Sequence, residues 1–169
     1  TTSTIIATLV PTGSNRLVVL CLTFKAGNVG TVTYSDTLMT LAGTTAGNVG
    51  VGVWYIKNPA ADTTGTIKVV MTSPTTLWMM AGVYSDMDIE RTVQGTVVSV
   101  NSVDISISAT VTSTLGDRIF SVVGQDSTSV AFTGSGITVF HATGTIAGLL
   151  GAAGDTLNTA TTTLFSHSY

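Results

Sequence analysis

The chain has 169 residues, enough for one domain with its own core, and its single cysteine, Cys21, excludes an intrachain disulfide. Only 9% of the residues are charged, against roughly 25% in a typical soluble domain. A net charge of −3 and a pI near 4.9 exclude the clustered Lys and Arg of a nucleic-acid interface, and no apolar run approaches the ~18–20 residues of a membrane-spanning helix.

Threonine is the commonest residue, followed by valine and glycine, whereas Glu occurs once, Gln twice and Lys three times. β-Branched residues suit a pleated strand, so the composition favours β structure. In chain order, Thr1–Val10 is uncharged and reads either as a first strand or as an arm that adds to the sheet edge of a neighbouring subunit. The chain opens at Thr1 with no secretory signal, so removal of a leader or of an initiator Met is expected. Leu17–Phe24 is apolar on both faces and predicts a central strand, with Cys21 as a small buried hydrophobe. Val49–Lys57 alternates, with Val49, Val51, Val53 and Tyr55 on one face and Trp54 and Ile56 on the other. Thr66–Thr72 places Ile67, Val69 and Met71 together, and Leu77–Tyr84 is again apolar on both faces.

Val103–Val111 is the cleanest alternation, with Val103, Ile105, Ile107, Ala109 and Val111 opposite Asp104, Ser106, Ser108 and Thr110. Ile119–Val123 is a third doubly apolar run, a helical turn is expected near Ile146–Ala153, and Thr159–Tyr169 reads as a closing strand. Turn residues punctuate these runs, among them Ser35-Asp36, Asn58-Pro59, Asp62–Gly65 and Leu115–Asp117. Many short strands at such spacing predict an all-β fold, a two-sheet antiparallel sandwich of jelly-roll or immunoglobulin-like type, as a single domain over residues 1–169. In a two-layer sandwich, strands apolar on both faces imply that an outer face is covered by a partner.

Gly13–Leu20 (GSNRLVVL), Val32–Leu38 (VTYSDTL), Val53–Pro59 (VWYIKNP), Gly82–Asp88 (GVYSDMD) and Leu115–Phe120 (LGDRIF) together resemble a loose family of β-sandwich domains found in phage virion proteins and bacterial surface proteins. The motifs mark strand starts and turns. The resemblance implies a sandwich fold and a structural or adhesive role. The chain departs from the pattern in its very low charge and as a standalone domain, which favours a particle or fibre subunit over a module of a large adhesin.

Residues that carry chemistry are sparse. His141 and His167 lack partners at metal-ligand spacing, and Thr133–Gly136 (TGSG) reads as a hairpin turn, not as a nucleophile elbow. Asp86, Asp88 and Glu90 hold three of the nine carboxylates within one short segment, the best candidate for calcium, although fewer than the usual six to eight oxygen ligands. Trp54 and Trp78 are candidate stacking platforms for sugars, although burial in a core or an interface is the commoner fate of such side chains.

The expected function is that of a non-enzymatic structural virion protein, a capsid decoration (cement) or tail component at a virion surface or outside the cell, without an obligatory cofactor. It would assemble as a homo-oligomer within a capsid or fibre, with Thr4, Ile5, Ile6, Leu9, Val10, Trp54, Ile56, Trp78 and Met80 as candidate interface residues. The alternatives are an extracellular filament subunit joined by donor-strand addition and a carbohydrate-binding or adhesin module.

Overall fold

The computed structural model describes residues 2–73, 75–91, 106–126, 133–135, 138–142, 149–157 and 162–168, and the regular structure within them is all β-strand and antiparallel. The first sheet runs β1 (Thr2–Leu9), β7 (Gly65–Met71), β3 (Val29–Tyr34), β4 (Thr37–Leu38). The second runs β5 (Thr40–Thr44), β6 (Val49–Lys57), β2 (Leu17–Lys25), β8 (Leu77–Tyr84). The chain passes from β4 to β5 through the single residue Met39, whose N–H donates to the Val32 carbonyl at 2.9 Å. That corner sets β4 and β5 side by side, and the opposite border of the sandwich carries β1 and β8.

Alternation produces this arrangement directly. Ile67, Val69 and Met71 of β7 are fully buried, while Lys68 between them is exposed. Val18, Leu20, Leu22 and Phe24 of β2 meet them, with Val32, Tyr34 and Trp54, in the principal core between the sheets. Each such fully buried Leu or Ile stabilises the fold by about 1.5–3 kcal/mol relative to exposure. The turns follow their residue chemistry. Ser35 and Asp36 both have positive φ (46° and 63°), the signature of the two-residue I′ hairpin that joins β3 to β4. Asn58, Asp62 and Asp86 also take positive φ at segment ends, where short polar side chains tolerate it.

A third sheet, β10 (Arg118–Asp126), β13 (Leu149–Leu157), β12 (Thr138–Ala142), packs on the outer face of the second. There the odd residues of β2 (Leu17, Val19 and Cys21) form a second core with Trp78 and Ala153, flanked by Val53, Tyr55, Met80, Phe120 and Val122. A further sheet comprises β11 (Thr133–Ser135), β14 (Thr162–Ser168) and β9 (Ser106–Thr112), in the order β11, β14, β9.

Two expectations are corrected here. The outer face of the second sheet is covered by strands of the same chain, so the doubly apolar runs do not require a partner. The segment expected as a helical turn at Ile146–Ala153 is strand from Leu149 onward, paired with β10 on one side and β12 on the other. Its small residues are needed for contact: Gly151 and Ala153 are buried against the second sheet. Residues 146–148 of that expectation lie outside the described residues, as do 103–105 of the alternating run whose remainder is β9.

Candidate functional site

The sequence-predicted interface residues separate into two groups. Thr4, Ile5 and Ile6 lie on β1 at the border of the first sheet, in register with Val69, Lys68 and Ile67 of β7. Leu9 packs on the principal core, its carbonyl accepts the Tyr34 hydroxyl at 3.2 Å, and Val10 beside it is 49% exposed. The segment Thr2–Leu9 is therefore a strand of the chain's own sheet.

The second group is buried or half-buried. Trp54 is 6% exposed and belongs to the principal core, with Ile56 packed against the same cluster. Trp78 is 3% exposed in the second core, and Met80 packs there as well. Both indoles are largely buried because the sheet that carries them is packed on both faces, Trp54 lying at the base of a cleft between the first two sheets.

The acidic segment is likewise built for another purpose. The Asp86 carboxylate accepts the Ser14 hydroxyl at 2.8 Å, and the Asp86 N–H donates to the Ser14 carbonyl at 2.8 Å. These bonds tie the segment after β8 to the loop between β1 and β2. The Lys57 ammonium donates to the carbonyls of Ile89 and Arg91. The Arg91 guanidinium pairs with Asp117 and donates to the Thr114 hydroxyl. Asp88 and Glu90 stay exposed, and among the described residues no three His, Cys, Asp or Glu side chains converge on one point. Asp86, the first residue of the weak calcium candidate, is engaged in a loop tether. His141 lies on β12 opposite Ala153, and His167 on β14 opposite Gly134 and Ile107.

Sequence reading missed the seat of the third sheet. Gly124 of β10 and Gly151 of β13 are direct cross-strand partners. A Cβ on Gly124 would collide with the Thr23 methyl, and one on Gly151 would lie 2.6 Å from the Trp78 ring. The two glycines make a flat place into which Thr23 and Trp78 fit. Thr23, fully buried, donates its hydroxyl to the Val123 carbonyl at 3.1 Å, and Lys25 pairs with Asp126 at 2.6 Å at the strand ends. Arg118 stacks on the Tyr84 ring, 5.2 Å from its centroid, and Phe120 meets that ring edge-on. Isolated glycines in strands are the only sequence signal for this seat, and a glycine alone does not name its partner.

A cleft of about 420 Å³ opens between the sheets beside the β4–β5 corner. Phe24, Trp54 and Met39 lie at its base, and Leu38 and Leu41 at its rim. Its lining carries no charged side chain. The Thr44 hydroxyl donates to the Val51 carbonyl and the Val51 N–H to the Thr45 hydroxyl, so these groups are already occupied. Among the described residues, no helix is long and apolar enough to cross a membrane. Compared with known protein families, curated proteins and solved structures, the chain matches none.

Proposed function

We propose that the chain is a structural subunit of a larger assembly, of the capsid-decoration (cement) or tail type implied by its resemblance to phage virion sandwiches, acting at a virion surface without catalysis. The observation that carries this reading is the shortage of charge available to keep copies apart. The chain has only six cations, and two of them are paired with carboxylates, Lys25 with Asp126 and Arg91 with Asp117; Arg16 and Lys57 are bonded to carbonyls and Arg118 lies over Tyr84, with their charges retained. Lys68 stands exposed on the first sheet. A surface of Thr and Ser with so little net charge resists self-association weakly.

The doubly apolar strands no longer support the reading, since the chain covers them itself. The filament alternative, donor-strand addition, needs a vacant groove, and beside β7 that place is held by the chain's own β1. The carbohydrate alternative loses both of its tryptophan platforms to burial. Sedimentation at micromolar concentration tests the proposal: a concentration-dependent oligomer, or binding to a particle, is expected. A monomer at all concentrations that binds no particle would overturn it.

A further inference from the structure

The two borders of the sandwich differ in kind. At the β4–β5 border the strands are two and five residues long, and β5 is interrupted by a register break between Leu41 and Gly43. Short strands and breaks are how natural sheets blunt an edge. At the opposite border, β1 is eight residues long and pairs with β7 on one side only among the described residues. Thr2–Leu9 contains no Asp, Glu, Lys, Arg or Pro. Its register break falls between Ile6 and Thr8, leaving Thr2–Ile6 in unbroken register with Met71–Ile67. Every second residue along that stretch turns its N–H and C=O away from β7. β8, the neighbouring edge strand of the second sheet, is also eight residues long and uncharged.

We infer that the β1 edge is where two copies of this chain join. Each presents β1 antiparallel to the other, so that the two four-stranded sheets continue as one sheet of eight. The inference rests on the proposed assembly function and names its contact. An antiparallel strand is self-complementary about a two-fold axis: the same donors and acceptors serve both copies. Charge does not oppose it. The nearest cation, Lys68, sits on β7 opposite Ile5, so the two Lys68 residues are separated by two intervening strands. Three strand spacings amount to roughly 14 Å, beyond the ~8 Å screening length of physiological salt. One pair of edges buries less than the ~1,200 Å² of a standard interface, so the isolated pair is a weak dimer that gains strength when many copies are held together.

Two prolines test this edge, because neighbouring residues of an edge strand point their N–H groups alternately inward and outward. Of Thr4→Pro and Ile5→Pro, one removes a bond to β7 and destabilises the fold. The other keeps the native circular dichroism and melting profile and blocks only the outer edge. That folded variant is expected to dimerise about tenfold or more weakly than wild type in sedimentation equilibrium. A second variant, Ser3→Lys, covers the case in which both prolines unfold the sheet. It places one cation per copy on the edge, opposite the uncharged Val70, and its loss of dimer should be partly reversed by salt. A folded edge variant that associates as wild type does would overturn the β1 contact while leaving self-assembly standing. A wild-type chain that stays monomeric and joins no particle would overturn both.

Discussion

At Gly124 a single methyl group decides whether two sheets can touch. Gly→Ala within a strand is ordinarily neutral or favourable by ~0.5–1 kcal/mol, because alanine restrains the unfolded chain. At Gly124 the added carbon meets Thr23 and Val49, and overpacking of this kind costs about 1–3 kcal/mol. Gly124→Ala should therefore destabilise the protein, with a lower urea midpoint and an unchanged slope. A gain in stability would show that the third sheet does not bear on Thr23. Tyr34 carries a second prediction. Burial pushes its phenol above the ordinary value of 10.0, since desolvation disfavours the phenolate. Below pH 10 the folded and unfolded forms are both protonated and this contribution is complete. Above pH 10 the unfolded form loses its proton first, so stability falls as pH rises through the folded-state value. Tyr34→Phe should flatten that alkaline slope above the ordinary value of 10.0, while costing ~0.5–1.5 kcal/mol at neutral pH for the lost bond to Leu9.

Among the elements, strands that alternate or run fully apolar were the legible ones. Val49–Lys57 and Leu77–Tyr84 are strands over those bounds, and Leu17–Phe24 extends by one residue to Lys25. The assignment of Trp54 and Ile56 to one face and Val53 and Tyr55 to the other also holds, the two sets lying in different cores. What covers the second face was not legible. An apolar face reports that water is excluded, not which strand excludes it, and β10 lies about a hundred residues from β2, as the Thr23–Val123 bond shows. The strand Leu149–Leu157 was hidden for a related reason: its glycines and alanines have weak strand preference, and tertiary contact with Trp78 selects them. Of the candidate interface residues, Thr4, Ile5 and Ile6 lie on the border strand β1, while Trp54 and Trp78 lie on the strands expected of them and are buried, the commoner fate of a large aromatic side chain. Cys21 lies in the core between the second and third sheets and so serves as a probe of that junction. Its labelling by a thiol reagent should accelerate in Gly124→Ala, as the cover opens more often. It should change little in Asp126→Asn, whose half-exposed ion pair with Lys25 contributes about 0.2–1 kcal/mol. Equal acceleration in both would show that the ion pair holds the sheets together as much as packing does.

For the whole molecule, scarcity of charge is the dominant property. Association through an uncharged edge has little long-range electrostatic component, so the dissociation constant should change less than about twofold between roughly 0.05 and 0.5 M NaCl. A steep salt dependence, measured by sedimentation, would assign the contact to charged residues away from β1. The layered build also has a temporal side. During synthesis the strands β1 to β8 emerge first, and the wall formed by Leu17, Val19, Cys21 and Trp78 is finished long before β13 arrives to cover it. Leu149 follows Tyr84 by 149 − 84 = 65 positions, which at ~5–20 residues per second leaves the cover of that wall incomplete for roughly 3–13 s on the ribosome. In that interval each nascent chain displays the apolar surface that its finished form conceals, and crowded polysomes are where this protein is most prone to clump.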